Sequence, residues 1–181
     1  DLNSEFLVSR DLYGGSFRYF DELEHKGAQK FIYFTDEEDL KNKITDKTEA
    51  VYVETPTNPL MQEVNIEQVA KIAKQKGALL IVDNTLLTPL RQKPLILGAD
   101  IVIHSATKYL TGHNDILAGA VITNNEKIGE RLLWLSNTTG AVLSSFDSWL
   151  FIRSLKTLPL RFSKQENNAI KLAEELEKHP N

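Results

Sequence analysis

Short apolar runs alternate along the chain with stretches of helical period. Phe6-Leu7-Val8, Phe31-Ile32-Tyr33-Phe34, Val51-Tyr52-Val53-Glu54, Leu79-Leu80-Ile81-Val82, residues 99–104 and residues 118–122 read as strands. Leu79-Leu80-Ile81-Val82 is almost continuously apolar, as expected of a strand covered on both faces. Between the strands, Ser16 is predicted to cap a short helix through Phe17, Tyr19 and Phe20. Thr35-Asp36-Glu37-Glu38 opens a second helix with an acidic first turn, which suits the helix dipole. Asn65 caps a third, whose apolar face is Ile66, Val69, Ala70, Ile72 and Ala73, and Gly77 ends it. Further helices are expected over 126–135, 142–155 and 160–176, and the segment containing Pro89 and Pro94 reads as a loop. Strands alternating with helices specify an α/β fold with a mostly parallel sheet flanked by helices.

Composition narrows the functional classes. The 181 residues are 41% hydrophobic and 25% charged, enough for one domain with a real core. A net charge of −4 without a basic stripe argues against nucleic acid as a partner. The absence of cysteine removes disulfides and thiolate chemistry and fits a reducing compartment. No stretch reaches the length of a membrane span. His25, His104, His113 and His179 have no metal-ligand spacing, so no metal site is expected. No Gly-x-Gly-x-x-Gly, Walker-type loop or Gly-x-Ser-x-Gly elbow follows a strand.

Candidate chemistry gathers where strands end. Ser105-Ala106-Thr107-Lys108-Tyr109 follows the fifth strand and runs into the Gly112 turn, with two hydroxyls bracketing a lysine. Three other loops leave strand ends with Tyr13-Gly14-Gly15, with Asn58 between Pro56 and Pro59, and with Asp83-Asn84-Thr85. In open α/β sheets ligands bind at that edge. Taken singly, each residue has an ordinary explanation: Asp83 as a helix cap or metal ligand, Asn58 as a turn former, Tyr13 as a packed turn residue, Lys108 as a surface lysine. Together, one lysine, one carboxylate, one aromatic ring, one amide and two hydroxyls suit pyridoxal phosphate. The lysine would form the Schiff base, the carboxylate would hold the pyridinium nitrogen, the ring would stack, and the hydroxyls would take the phosphate.

The chain resembles the Cys/Met-metabolism family of pyridoxal-phosphate enzymes, which includes cystathionine γ-synthases, γ- and β-lyases and O-acetylhomoserine sulfhydrylases. The matching stretches are Asp11-Leu12-Tyr13-Gly14-Gly15-Ser16, Glu54-Thr55-Pro56-Thr57-Asn58-Pro59-Leu60, Val82-Asp83-Asn84-Thr85 and residues 98–109, extended by Gly112-His113-Asn114-Asp115 and Leu155-Lys156-Thr157-Leu158. The resemblance implies an aspartate-aminotransferase-like (fold type I) large domain over 1–158, lacking its amino-terminal part. Residues 159–181 become a helix leading to an absent carboxyl-terminal domain.

It also implies roles for individual residues. Lys108 is the Schiff-base lysine and proton shuttle, Asp83 pairs with the pyridine nitrogen, and Tyr13 stacks on the ring and assists proton transfer. Asn58 hydrogen-bonds near the phenolic oxygen, Ser105 and Thr107 bind phosphate, and Thr85 lines the same pocket. The implied parent is a cytoplasmic homotetramer, a dimer of dimers, acting as a lyase or transferase of trans-sulfuration and methionine biosynthesis. Its substrate is cystathionine, an activated homoserine or a related thioether. The sequence from Gly140-Ala141-Val142-Leu143 through Asp147-Ser148-Trp149-Leu150 leans toward the γ-synthase or O-acetylhomoserine-using type, with β-lyase or γ-lyase as the alternative. A phosphate-binding α/β domain without catalysis is the alternative from another class. The family's upstream Tyr-x-Arg pair and phosphate-cradling Ser-Gly loop, and the arginine for the substrate carboxylate, are expected to lie outside this sequence. The fragment alone is expected to be inactive.

Overall fold

The computed structural model describes residues 4–180, which form two compact units. The first takes the described residues through His104 together with 120–140; the second takes 105–119 and the residues from 141 onward.

The first unit is built on a sheet of six strands: β1 (Glu5–Ser9), β2 (Lys30–Phe34), β3 (Thr48–Glu54), β4 (Leu79–Asp83), β5 (Ile101–Ser105) and β6 (Gly119–Ile122). Their spatial order is β2-β1-β3-β4-β5-β6, and the pairs β1–β2, β1–β3, β3–β4 and β4–β5 are parallel. Thr123, just past β6, donates its hydroxyl to the Asp100 carbonyl just before β5 at 2.7 Å, so β6 runs antiparallel. The expected mostly parallel α/β sheet is therefore present.

Alternation along the strands gives the sheet two apolar faces. Leu7, Val51, Val53, Leu80, Val82 and Val102 point one way, against Leu40 and Ile44 and against Ile66, Val69, Ile72 and Ala73. Those partners belong to, or directly follow, α2 (Glu37–Lys43) and α3 (Ile66–Gln75). Phe6, Val8, Tyr52, Ile81 and Ile103 point the other way, against Phe20 and Leu23 of α1 (Gly14–His25).

The predicted Asn65 cap is in place, and Asp36 caps the helix whose acidic opening was expected. The Asp36 carboxylate accepts from the Glu38 and Asp39 amides, and Asn65 accepts from the Gln68 amide. Ser16 is not a cap: α1 starts two residues earlier with Tyr13 at its N-cap, and Ser16 sits within the first turn. The loop with Pro89 contains a short helix, α4 (Thr88–Arg91), because proline in a first turn needs no amide partner. The fifth strand begins at Ile101 rather than Ala99, since the Asp100 carboxylate turns back to accept from the Leu80 amide at 2.8 Å. α5 (Glu126–Thr139) runs past its expected end to Gly140, which adopts the left-handed conformation there.

The second unit holds the segment after β5 together with α6 (Ser145–Leu155) and α7 (Leu158–Leu176). α7 starts earlier than its apolar spacing predicts, with Pro159 in its first turn. Arg161 of α7 holds the segment. Its guanidinium donates to the carbonyls of Tyr109 (3.0 Å), Leu110 (3.3 Å) and Ser154 (3.0 Å), and Nε donates to the Thr157 hydroxyl (3.0 Å). Tyr109 meets Phe162 edge to face at 5.4 Å. Gly112 has φ +69°, and a Cβ there would fall 1.9 Å from Arg161 Nη1, so the turn after Lys108 requires glycine on both counts. Among the described residues no helix is long and apolar enough to cross a membrane.

Candidate functional site

In the first unit, the carboxyl ends of β1, β3 and β4 bring Tyr13, Asn58, Asp83 and Thr85 onto loops tied to one another. Asp83 is the last residue of β4, in register with Glu54 of β3. Its half-buried carboxylate accepts at Oδ1 from the Thr85 amide (3.0 Å) and hydroxyl (2.5 Å), and at Oδ2 from the Tyr52 hydroxyl (3.3 Å). A carboxylate has about four lone-pair sites, so Oδ2 retains one for a further N–H donor. Thr85 thus acts first as the clamp on Asp83.

Tyr13 presents its ring half exposed. A Cβ on Gly15 would come within 2.4 Å of that ring, so glycine at 15 permits the ring's position. The loop carrying Asn58 has cis peptide bonds at Thr55-Pro56 and Asn58-Pro59, and Asn58 itself is exposed. Thr57 bonds through its hydroxyl to the Asp11 carboxylate, which fastens this loop to the one leaving β1.

Glu54 was not singled out by the sequence, yet it organises both loops. It is 5% exposed, and its two oxygens accept from the Tyr13 amide (2.7 Å) and the Asn58 amide (2.9 Å). Burial raises its pKa, the Tyr13 amide opposes that, and the nearby Asp83 charge adds to the rise. With the folded value above the ordinary one, the native state binds more protons across that window. Glu54's contribution to stability is therefore full below the ordinary glutamate range and falls as pH rises through the folded value. Glu54→Gln leaves one amide facing an NH2 group. In full-length protein it is expected to cost about 1–3 kcal/mol in denaturant unfolding below the glutamate range and to abolish that pH slope.

A second unforeseen network lies beneath the loops. The fully buried Asn84 donates to the carbonyls of Thr88 (3.2 Å) and Gln92 (3.0 Å), while Gln92 Nε2 donates to Asn84 Oδ1 and to the Thr55 carbonyl, both at 2.9 Å. It joins the loops after β3 and β4. His104 is buried, its pKa lowered by desolvation, and its Nδ1 has no hydrogen-bond partner among the described residues. Only tertiary contacts reveal these roles; the one sequence signal was a glutamate ending a strand before Thr-Pro.

Ser105, Thr107 and Lys108 belong to the second unit. Lys108 is exposed, while its backbone is fixed by hydrogen bonds from its amide to the Ser105 carbonyl (3.1 Å) and from the Gly112 amide to its own carbonyl (2.9 Å). The Thr107 hydroxyl accepts from the Ala118 amide at 2.9 Å and donates to the Ala118 carbonyl at 3.2 Å. Among the described residues no group of three or more His, Cys, Asp or Glu side chains is placed to hold a metal ion.

Residues 2–181 match the family described as Cys/Met metabolism PLP-dependent enzyme. The chain is 57% identical over 175 residues to the cystathionine gamma-synthase/O-acetylhomoserine (thiol)-lyase of Bacillus subtilis, covering 96% of this chain and 47% of that protein. It is 45% identical over 178 residues to the cystathionine beta-lyase of Coxiella burnetii, covering 96% of this chain and 46% of that protein. Among solved structures, the cystathionine gamma-lyase of Lactobacillus plantarum complexed with L-serine superposes with a TM-score of 0.95 at 41% identity, over 98% of this chain and 47% of that one. The chain spans about half the length of the relatives it matches.

Proposed function

We propose, for a chain that belongs to the Cys/Met-metabolism family of pyridoxal-phosphate-dependent enzymes, that the full-length protein makes or breaks a carbon–sulfur bond in cystathionine or homocysteine metabolism. The observation that carries this reading is the Asp83 carboxylate, clamped by Thr85 and Tyr52 with one acceptor position left. That donor set fits the cofactor, whose protonated ring nitrogen needs a fixed anion.

When bound, pyridoxal phosphate supplies an electron sink for the pair left at the substrate's α-carbon. The chain's own residues do the remainder. Lys108 attaches the cofactor and then moves protons at the substrate carbons. Asp83 keeps the proton on the ring nitrogen. Tyr13 stacks on the ring and assists proton transfer, and the Asn58 amide bonds near the phenolic oxygen. Ser105 and Thr107 bind the phosphate; for Thr107 this means turning its hydroxyl proton away from the Ala118 carbonyl. Thr85 holds Asp83 in place.

Within the family, we favour a γ-synthase or O-acetylhomoserine-using enzyme, working in the cytoplasm as a homotetramer. Greater identity to the Bacillus subtilis synthase/thiol-lyase than to the Coxiella burnetii lyase supports the reaction type. Product analysis of the full-length enzyme tests it. Cystathionine formed from an acylated homoserine and cysteine, or homocysteine formed from it and sulfide, is expected, with the acyl group leaving as its carboxylate. Activity confined to cystathionine cleavage would replace this reading with β-lyase or γ-lyase.

A further inference from the structure

Tyr52 lies at the middle of β3, two residues before Glu54 and on the same side of the strand, which places its phenol diagonal to Asp83 on β4. The residue is 7% exposed. Its ring is wedged by the edge-to-face contact with Phe20 of α1 at 5.2 Å, which leaves the hydroxyl little freedom. From there it reaches Asp83 Oδ2 at 3.3 Å, with the Ser16 side chain as a second hydrogen-bonding neighbour. Ser16 belongs to the first turn of the helix that Tyr13 opens, and its amide donates to the Tyr13 carbonyl at 2.9 Å.

We propose that Tyr52 is a positioning residue for Asp83, fixing which carboxylate oxygen, and which lone pair on it, accepts the hydrogen bond from the cofactor's protonated ring nitrogen. The inference rests on the cofactor reading above and adds a residue to it. Thr85 occupies Oδ1 twice, so Oδ2 is the oxygen left for the ring, and among the described residues Tyr52 is the donor that sets its direction. Burial and the Asp83 charge push the phenol's pKa well up, so the hydroxyl remains a donor throughout the working range. Without that hydroxyl the carboxylate is held at one oxygen only, and orienting it falls to the moment of cofactor binding.

The test uses full-length protein loaded with 15N-ring-labelled pyridoxal phosphate and compares wild type, Tyr52→Phe and Tyr33→Phe. Tyr33 packs on Phe17 at 5.6 Å, so its variant also deletes one partly buried hydroxyl and serves as the structural control. Tyr52→Phe is expected to weaken cofactor binding by about three- to tenfold and to move the bound ring-nitrogen resonance, with Tyr33→Phe unchanged in both. Unchanged affinity and resonance in Tyr52→Phe would overturn the inference alone. Equal changes in both variants would also overturn it, since that is a packing effect. A wild-type protein that takes up no cofactor would instead remove the reading on which the inference rests.

Discussion

Lys108→Ala in the full-length enzyme is expected to lower turnover by about four orders of magnitude or more while leaving thermal unfolding close to wild type. The size follows from losing two functions at once: the amine that attaches the cofactor and the base that moves substrate protons, the second alone worth about 10²–10⁴. The small stability change follows from the local structure. The Lys108 side chain is exposed, and the turn around it is held by backbone hydrogen bonds, by Arg161 on the Tyr109 and Leu110 carbonyls, and by glycine at 112. None of these uses the lysine amine. Lys108→Arg is expected to be equally inactive, because a guanidinium keeps the charge but does not provide an unprotonated amine. Steady-state rates and a melting curve on the same preparations check both statements; an arginine variant with near wild-type turnover would reduce Lys108 to a surface charge.

Asp83→Asn is expected to reduce turnover by about 10²–10³, the usual loss when one preorganised electrostatic partner is removed from a reacting system. The fold should survive. Asn keeps an oxygen for the Thr85 amide and hydroxyl, and the Tyr52 hydroxyl can rotate to accept from the new NH2 group. What the amide cannot do is hold a proton on a pyridine nitrogen, since its NH2 presents hydrogen to that atom and its charge is gone. The loss should appear in kcat at saturating cofactor, measured beside a urea unfolding curve. A variant that unfolds early and regains its rate when stabilised would instead make Asp83 a structural residue.

Much of this architecture was legible because the local rules and the tertiary contacts agree. The apolar runs became strands, and Asp36 and Asn65 cap helices as their side-chain chemistry requires. The candidate residues sit at strand ends because parallel strands must be joined by helices, which leaves their carboxyl-end loops open. What stayed hidden depended on register. Glu54 and Tyr52 read as ordinary members of a strand until β3 and β4 are aligned, when one faces the Tyr13 and Asn58 amides and the other faces Asp83. Ser16 looked like a cap because it follows two glycines, whereas its side chain is directed to Tyr52. Arg161 lies 52 residues from the Tyr109 carbonyl it holds, a distance no local pattern spans. Pro89 hid a short helix and Pro159 delayed the expected start of another for one reason: proline ends a helix from within but is welcome in its first turn.

The central claim is that Lys108 carries the cofactor, and borohydride labelling is its most direct test. Full-length protein is mixed with pyridoxal phosphate, its visible spectrum recorded, the complex reduced, and the labelled peptide mapped. A visible absorption band, with the label confined to the peptide containing Lys108, is the expected result. No band, or a label spread over surface lysines such as Lys26 and Lys178, would contradict it and leave a domain that binds phosphate without the chemistry.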